Sequence, residues 1–266
     1  MPRFAANLTL LYNEHAFLDR FPAAAADGFS AVEFLFPYEH EPAAIAERLQ
    51  AYGLQLVLLN APPGDWDAAE RGLACLPGRE DEFRASVDTA LRYAAALGSP
   101  RIHVMSGVLP PGAEREDLSP LWLTNMRWAC ERAAARRLRV CIEPLNGRDV
   151  PGYFLHRHQQ ALALIHAVGE PNLGLQMDWY HYQISEGDLA TKLRRAVADG
   201  VLEHIQLAGV PDRHEPDEGE LRVEYLLSLL DELGYAGHVG CEYRPRAGTS
   251  AGLGWLQPFR ASTPAI

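Results

Sequence analysis

Short apolar runs rich in Val, Ile and Leu alternate with longer stretches of helical periodicity along the whole chain, and this alternation limits the fold more than any other feature. Parallel strands need a crossover of a dozen or more residues between them, usually a helix, so the pattern predicts an α/β protein built on a parallel sheet. Eight strands are expected, at Phe4 to Thr9, Ala31 to Phe36, Gln55 to Asn60, Arg101 to Ser106, Arg139 to Glu143, Leu173 to Asp178, His204 to Ala208 and His238 to Glu242. Helices are expected between them at about Glu14 to Asp27, Pro42 to Tyr52, Glu80 to Leu97, Pro120 to Arg137, His158 to Val168, Asp188 to Asp199 and Val223 to Leu233. Gly28, Gly53, Gly98, Gly169, Gly200 and Gly234 follow these segments, where a residue free to adopt positive φ ends a helix.

Eight such units form either an open doubly wound sheet or a closed barrel. No GxGxxG follows the first strand, the units stay evenly spaced to the end, and 266 residues match the roughly 250 of a one-domain barrel. The expectation is a single (β/α)8 TIM barrel over residues 1–266, without repeats or a linker marking a second domain.

A net charge of -11 disfavours phosphate backbones and anionic lipid surfaces as partners. The dense basic cluster of Arg136, Arg137 and Arg139 falls at an expected helix end, where cations suit the helix dipole. No apolar run approaches the roughly 20 residues that cross a bilayer. Cys75, Cys130, Cys141 and Cys241 form no CxxC pair and MPRFAANLTL enters a strand at once, so a reduced, cytoplasmic protein is expected, its oligomeric state open.

In a closed barrel the active site stands at the C-terminal ends of the strands. Strand five ends CIEPLN with Glu143, strand six LGLQMD with Asp178, strand seven carries HIQLAG with Gln206, and strand eight ends VGCEYRP with Glu242. Side chains alternate along a strand, so with Val140, Ile142, Val239 and Cys241 facing the helices the carboxylates face the axis. Acids buried together raise one another's pKa, and a divalent cation relieves that repulsion; carboxylate and amide oxygens suit Mg2+ or Mn2+ better than Zn2+. His181 stands above strand six and Arg213 above strand seven, within reach of a substrate oxygen or carboxylate. His103 and His204 fall on strands, where histidines are more often core residues than ligands. Trp66 and Trp179 are expected in loops on the active face, and the connection from Pro62 to Gly78 is long enough for a lid.

The segments IEPLN, MDWYHYQ, HIQLAGVPDRHEPDEGE and GCEYRPRAGTSAGLGWL resemble those of the hydroxypyruvate isomerase family, and the opening FAANLTLLYNE and the strand VEFLFPY are similar to it too. That family lies among the xylose isomerase-like TIM barrels with ketose 3-epimerases and, more distantly, endonuclease IV. The resemblance implies metal ligation by Glu143, Asp178, Gln206 and Glu242, proton transfer by Glu143 and Glu242, and substrate oxygens held by His181 and Arg213. It implies interconversion of hydroxypyruvate and tartronate semialdehyde, or of a related 2-oxo acid such as 2-oxo-tetronate, through an enediolate. Trp179, Tyr182, LRVEY and Arg244 depart from the family pattern and bear on which substrate is used.

A ketose 3-epimerase or inosose dehydratase on the same scaffold is the nearer rival, and Gln206 argues against the epimerase, which usually holds histidine there. A metal-dependent AP endonuclease would need a larger ligand cluster and basic loops, where this chain has the acidic run Glu215 to Glu220.

Overall fold

In the computed structural model, which describes residues 2–260, eight parallel strands close into a barrel in chain order. They are β1 Arg3–Asn7, β2 Ala31–Phe34, β3 Gln55–Asn60, β4 Arg101–His103, β5 Arg139–Ile142, β6 Leu173–Asp178, β7 Leu202–Leu207 and β8 His238–Cys241, with β1 pairing β8 to complete the ring. Around them lie α1 Arg20–Ala26, α2 Pro42–Ala51, α3 Glu80–Leu97, α4 Arg115–Ala134, α5 His158–Val168, α6 Trp179–Ser185, α7 Leu189–Ala198, α8 Val223–Glu232 and α9 Gln257–Arg260. The expected (β/α)8 barrel is therefore the fold. Among the described residues no helix is long and apolar enough to cross a membrane, and all four cysteines are buried and free of disulfides.

Local chemistry sets the ends of these elements. The helix α3 opens on Glu80, Asp81 and Glu82, which favour the positive end of its dipole, and stops at Gly98 with φ 68°. Gly169 closes α5 in the same way at φ 76°. The first strand ends at Asn7 rather than Thr9, because the Asn7 side-chain oxygen accepts from the backbone N–H groups of Thr9 and Leu10 and turns the chain. The first α-helix starts at Arg20, not Glu14: the Glu14 carboxylate accepts from the Thr249 backbone N–H and holds its segment as a loop. The fourth α-helix starts at Arg115 and carries Pro120 inside, since Glu116 and Asp117 in its first turn favour an earlier start than the proline suggested. The fourth strand stops at His103 instead of Ser106, which pairs across to Gly72 of the long loop after β3.

The seventh strand begins at Leu202, two residues before the expected His204, and contains an irregularity: Leu175 pairs Leu202 while Gln176 pairs His204, leaving Glu203 as an extra residue. Glu203 and His204 consequently both reach polar partners inside the barrel. Glu203 holds Arg101 at 2.8 Å and also Arg139, and Arg101 donates to the Val57 carbonyl at 3.0 Å. These three charged residues stand near the N-terminal ends of their strands, and Ala5, Ala31 and Val57 form a small separate apolar cluster. The main core lies between strands and helices, anchored by fully buried Trp122, Phe83, Phe21 and Phe34.

Candidate active site

The strands β5 to β8 deliver polar residues to the same face of the barrel. Glu143 and Glu242 follow the last residues of β5 and β8, while Asp178 is the last residue of β6 and Gln206 the penultimate residue of β7; all four are buried. They share one hydrogen-bonded cluster with Gln176, Glu33 and Asn7. The Gln176 amide donates to Glu143 at 3.0 Å and to the Gln206 oxygen at 2.6 Å, and Gln206 donates in turn to Glu33 at 2.7 Å. Asn7 bridges Glu33 at 2.9 Å and Glu242 at 3.1 Å. His204 meets the other Glu33 oxygen at 2.6 Å.

Arg213, held at φ 59° in the loop after β7, reaches back over the cluster. Its Nη2 lies 2.5 Å from Glu242 Oε2 and 3.4 Å from Asp178 Oδ2, which places a positive charge between two acids. Removal from water dominates the acidities here, since a charged carboxylate is costly in a dry interior. Burial, then the neighbouring Glu242 and Asp178, push the Glu143 carboxyl well above its usual range. Burial raises Glu242 to about 8 and Asp178 to about 6, with Arg213 opposing both shifts.

The loop after β6 is the helix α6, which the sequence pattern did not predict. Asp178 caps it by accepting from the Tyr180 backbone N–H at 2.9 Å, so one carboxylate ends a strand and starts a helix. Trp179, expected in a loop, is instead fully buried at the start of this helix. His181 is carried inward to 3.7 Å from Asp178. Its Nδ1 receives the Asn146 backbone N–H at 3.2 Å and lies 2.7 Å from the Asn146 side-chain nitrogen. Two donors on Nδ1 leave the hydrogen on Nε2, and burial next to Arg213 holds the ring neutral.

The cavity above these groups has a volume of roughly 350 Å3, and Glu143, Glu242, His181 and Arg213 line it together with His103 and Trp66. His103 is a wall residue as well as a buried strand residue: its Nδ1 is 3.8 Å from Glu143, neither ring nitrogen has a hydrogen-bond partner among the described residues, and burial lowers its pKa to about 3. His204 lies deeper, against Glu33. Trp66 is 42% exposed at the rim, on the long loop that was expected to be a lid.

Glu33, Asn7 and Gln176 were not singled out in the sequence. The period-two face of β2 carries Glu33 between apolar Val32 and Phe34, and a charged residue within such a run was the available signal.

The donor set at this end of the barrel has the chemistry of a metal site. Ligand atoms of Glu143, Asp178 and His181 lie within 4.8 Å of one another, and Glu143 Oε1 is buried with no hydrogen-bond partner among the described residues. Converging acids with raised pKa and an orphaned oxygen fit a hard divalent ion. His181 fits less well, because its protonated Nε2 is a donor and its Nδ1 is occupied. Gln206 keeps a second lone pair on an oxygen whose orientation Glu33 fixes.

The sequence model of the family described as "Xylose isomerase-like TIM barrel" matches residues 21–259. A 2-oxo-tetronate isomerase of Cupriavidus necator is 59% identical over 97% of this chain and 99% of its own. A hydroxypyruvate isomerase of Escherichia coli is 43% identical over 98% of this chain and 100% of its own. Among solved structures, one from Brucella melitensis titled as an AP endonuclease of family 2 superposes with a TM-score of 0.94 at 48% identity, over 97% of this chain and 99% of that one. A D-psicose 3-epimerase from Clostridium cellulolyticum, with a TM-score of 0.76 at 17% identity over 99% of this chain and 93% of that one, shares the fold.

Proposed function

This chain belongs to the xylose isomerase-like TIM barrels and among them to the hydroxypyruvate isomerase family, and we propose that it interconverts short 2-oxo-3-hydroxy acids, hydroxypyruvate or 2-oxo-tetronate, with their 3-oxo-2-hydroxy isomers. Its curated relatives are isomerases, and it is one as well. The finer reading rests on one observation: Glu143 and Glu242 are both buried at the cavity, with pKa values raised by burial while Arg213 opposes the shift. Such groups are poised to exchange protons with carbon near neutral pH.

In the reaction a proton leaves C3 of the substrate, the electron pair moves towards C2, and an enediolate forms. One glutamate carboxylate receives that proton. The same residue or its partner delivers a proton to C2, the C3 hydroxyl proton passes to the C2 oxygen, and the new carbonyl stands at C3. Arg213, at 2.5 Å from Glu242, balances the negative charge of the acids and is within reach of a substrate oxygen. His181, neutral with a hydrogen on Nε2, donates to a substrate oxygen without competing as a base.

Glu143, Asp178, Glu242 and the Gln206 oxygen would hold a divalent ion, and Mg2+ or Mn2+ suits their oxygen donors. When bound, the ion supplies Lewis-acid polarisation of the substrate carbonyl. Everything else falls to the chain's own residues: the cavity of roughly 350 Å3 takes a small acid, and its buried walls limit water around the enediolate.

An epimerase reading draws on structures below 25% identity, which carry the fold alone. The net charge of -11 speaks against a nucleic-acid substrate. Four buried reduced cysteines agree with a cytoplasmic protein.

The test is exchange of the substrate C–H proton in D2O with hydroxypyruvate and 2-oxo-tetronate, in Mg2+ or Mn2+. Wild-type protein should exchange the proton and form the isomer, while Glu143→Gln and Glu242→Gln should each lose activity by about 100-fold or more. Near-normal exchange in either variant overturns the proton-transfer assignment.

A further inference from the structure

Three arginines line the cavity: Arg71, Arg213 and Arg244. Arg213 is committed to Glu242 and Asp178. Arg244 is exposed at the rim, whereas Arg71 is half-buried in the wall. Among the described residues Arg71 has no carboxylate partner. Its neighbour Glu70, which stands nearest in sequence to supply one, is taken by Arg79.

The Arg71 guanidinium is nonetheless fixed. Its plane stacks on the Trp66 ring with Cζ 3.5 Å from the ring centroid. Its Nη1 donates to the carbonyls of Trp66 at 3.1 Å and Glu70 at 2.7 Å. Nε and Nη2 carry no partner among the described residues. The backbone beneath is fixed as well. The Arg71 carbonyl accepts from the Gly107 N–H at 3.0 Å, and the Gly72 N–H donates to Pro63 at 2.8 Å. Gly72, at φ 107°, lies so close to Met105 that a Cβ would stand 2.1 Å from its carbonyl oxygen. An arginine held on one side by stacking and carbonyls, with the other edge of its fork free at a small polar cavity, is preorganised for a planar anion. Burial without a countercharge also lowers its pKa, as expected for a cation still lacking its partner.

Resting on the proposed reaction, we propose that Arg71 recognises the carboxylate of the 2-oxo acid and so sets the enzyme's preference for acids over neutral ketoses, with Trp66 as the aromatic support that holds the guanidinium flat. Arg213 is left to the oxygens beside Glu242.

The experiment compares wild type, Arg71→Gln and Arg71→Lys, each with thermal melting as a check on folding, on hydroxypyruvate and on its carboxylate-free counterpart dihydroxyacetone. For hydroxypyruvate the KM of Arg71→Gln should rise about 10- to 100-fold, the worth of a charge-assisted pair, with kcat changed about threefold or less. Arg71→Lys, which keeps the charge and loses the fork and the stacking, should recover part of the KM. Proton exchange from dihydroxyacetone, read as kcat/KM, should differ from wild type by about twofold or less in both variants. An unchanged KM for hydroxypyruvate in Arg71→Gln, an equal loss on both substrates, or a larger KM rise in Arg244→Gln would overturn the assignment. Failure of wild type to exchange protons from any hydroxy-keto acid would instead sink the proposed reaction.

Discussion

Glu33 on β2 and His204 on β7 meet at 2.6 Å inside the barrel, and the same Glu33 carboxylate holds the Gln206 amide at 2.7 Å and Asn7 at 2.9 Å. The carboxylate fits because Gly240 on β8 has no side chain: a Cβ there would stand 2.4 Å from both Glu33 oxygens. Gly240→Ala is therefore expected to displace Glu33 and destabilise the protein by about 1–3 kcal/mol, the usual cost of overfilling a packed interior. Urea unfolding measures the loss, and an unchanged midpoint would contradict this account of Gly240.

Arg213 opposes the burial that raises Glu143, Asp178 and Glu242. Removing its charge in Arg213→Gln should raise all three carboxyl pKa values further, so more protons are bound at a given pH. The acidic limb of the kcat/KM profile should move to higher pH, and kcat/KM at pH 7 should fall about tenfold or more, since a hydrogen bond to a charged group contributes roughly 1.5–3 kcal/mol. Activity measured from pH 5 to 9 checks the direction. A limb that stays in place argues that another group governs it.

Chelation should lower the melting temperature. A ligand present at about 100 times its Kd stabilises the native state by about 2.7 kcal/mol, which for a chain of this size corresponds to a shift on the order of 5–10 °C. Adding Mn2+ to chelator-treated protein should restore that shift in wild type and much less of it in Asp178→Asn. Equal shifts in both proteins would place the ion elsewhere.

His238 opens β8 near the barrel floor, where burial and the nearby Arg3 lower its pKa to about 4 from an ordinary value of 6.5. Above 6.5 the ring is neutral folded and unfolded, and nothing is lost. As pH falls from 6.5 towards 4 only the unfolded chain gains the proton, so stability declines through that window and levels off below it. Between pH 7 and pH 5 this contributes about 1 kcal/mol, half of the full linkage figure because solvent at the floor screens the charge. His238→Gln should lose that much less on acidification, read from urea midpoints at the two pH values.

Much of the candidate site was legible in the sequence because strand alternation and barrel closure carry it. Alternation along a strand puts Glu143 and Glu242 on the inner face, and closure of the barrel brings strand ends together whatever their separation in sequence. The helix α6 escaped because WYHYQIS buries Trp179, Tyr180, His181 and Tyr182 in succession, with no polar stripe to mark a 3.6-residue period. Asp178 as its N-cap was the available signal. Glu33 escaped for a different reason. Its partner His204 lies 171 positions away, and only ring closure with the extra residue in β7 turns both towards one another.

The order of hydrophobic runs and helix stops determined the eight-unit barrel and which acids stand at its open end, since periodicity and chain termini of strands are properties of neighbouring residues. Tertiary structure decided which polar atoms find partners and which remain bare. Arg213 spends its charge on two acids while Arg71 keeps the free edge of its fork, a distinction that depends on distances across the cavity and that no local pattern encodes.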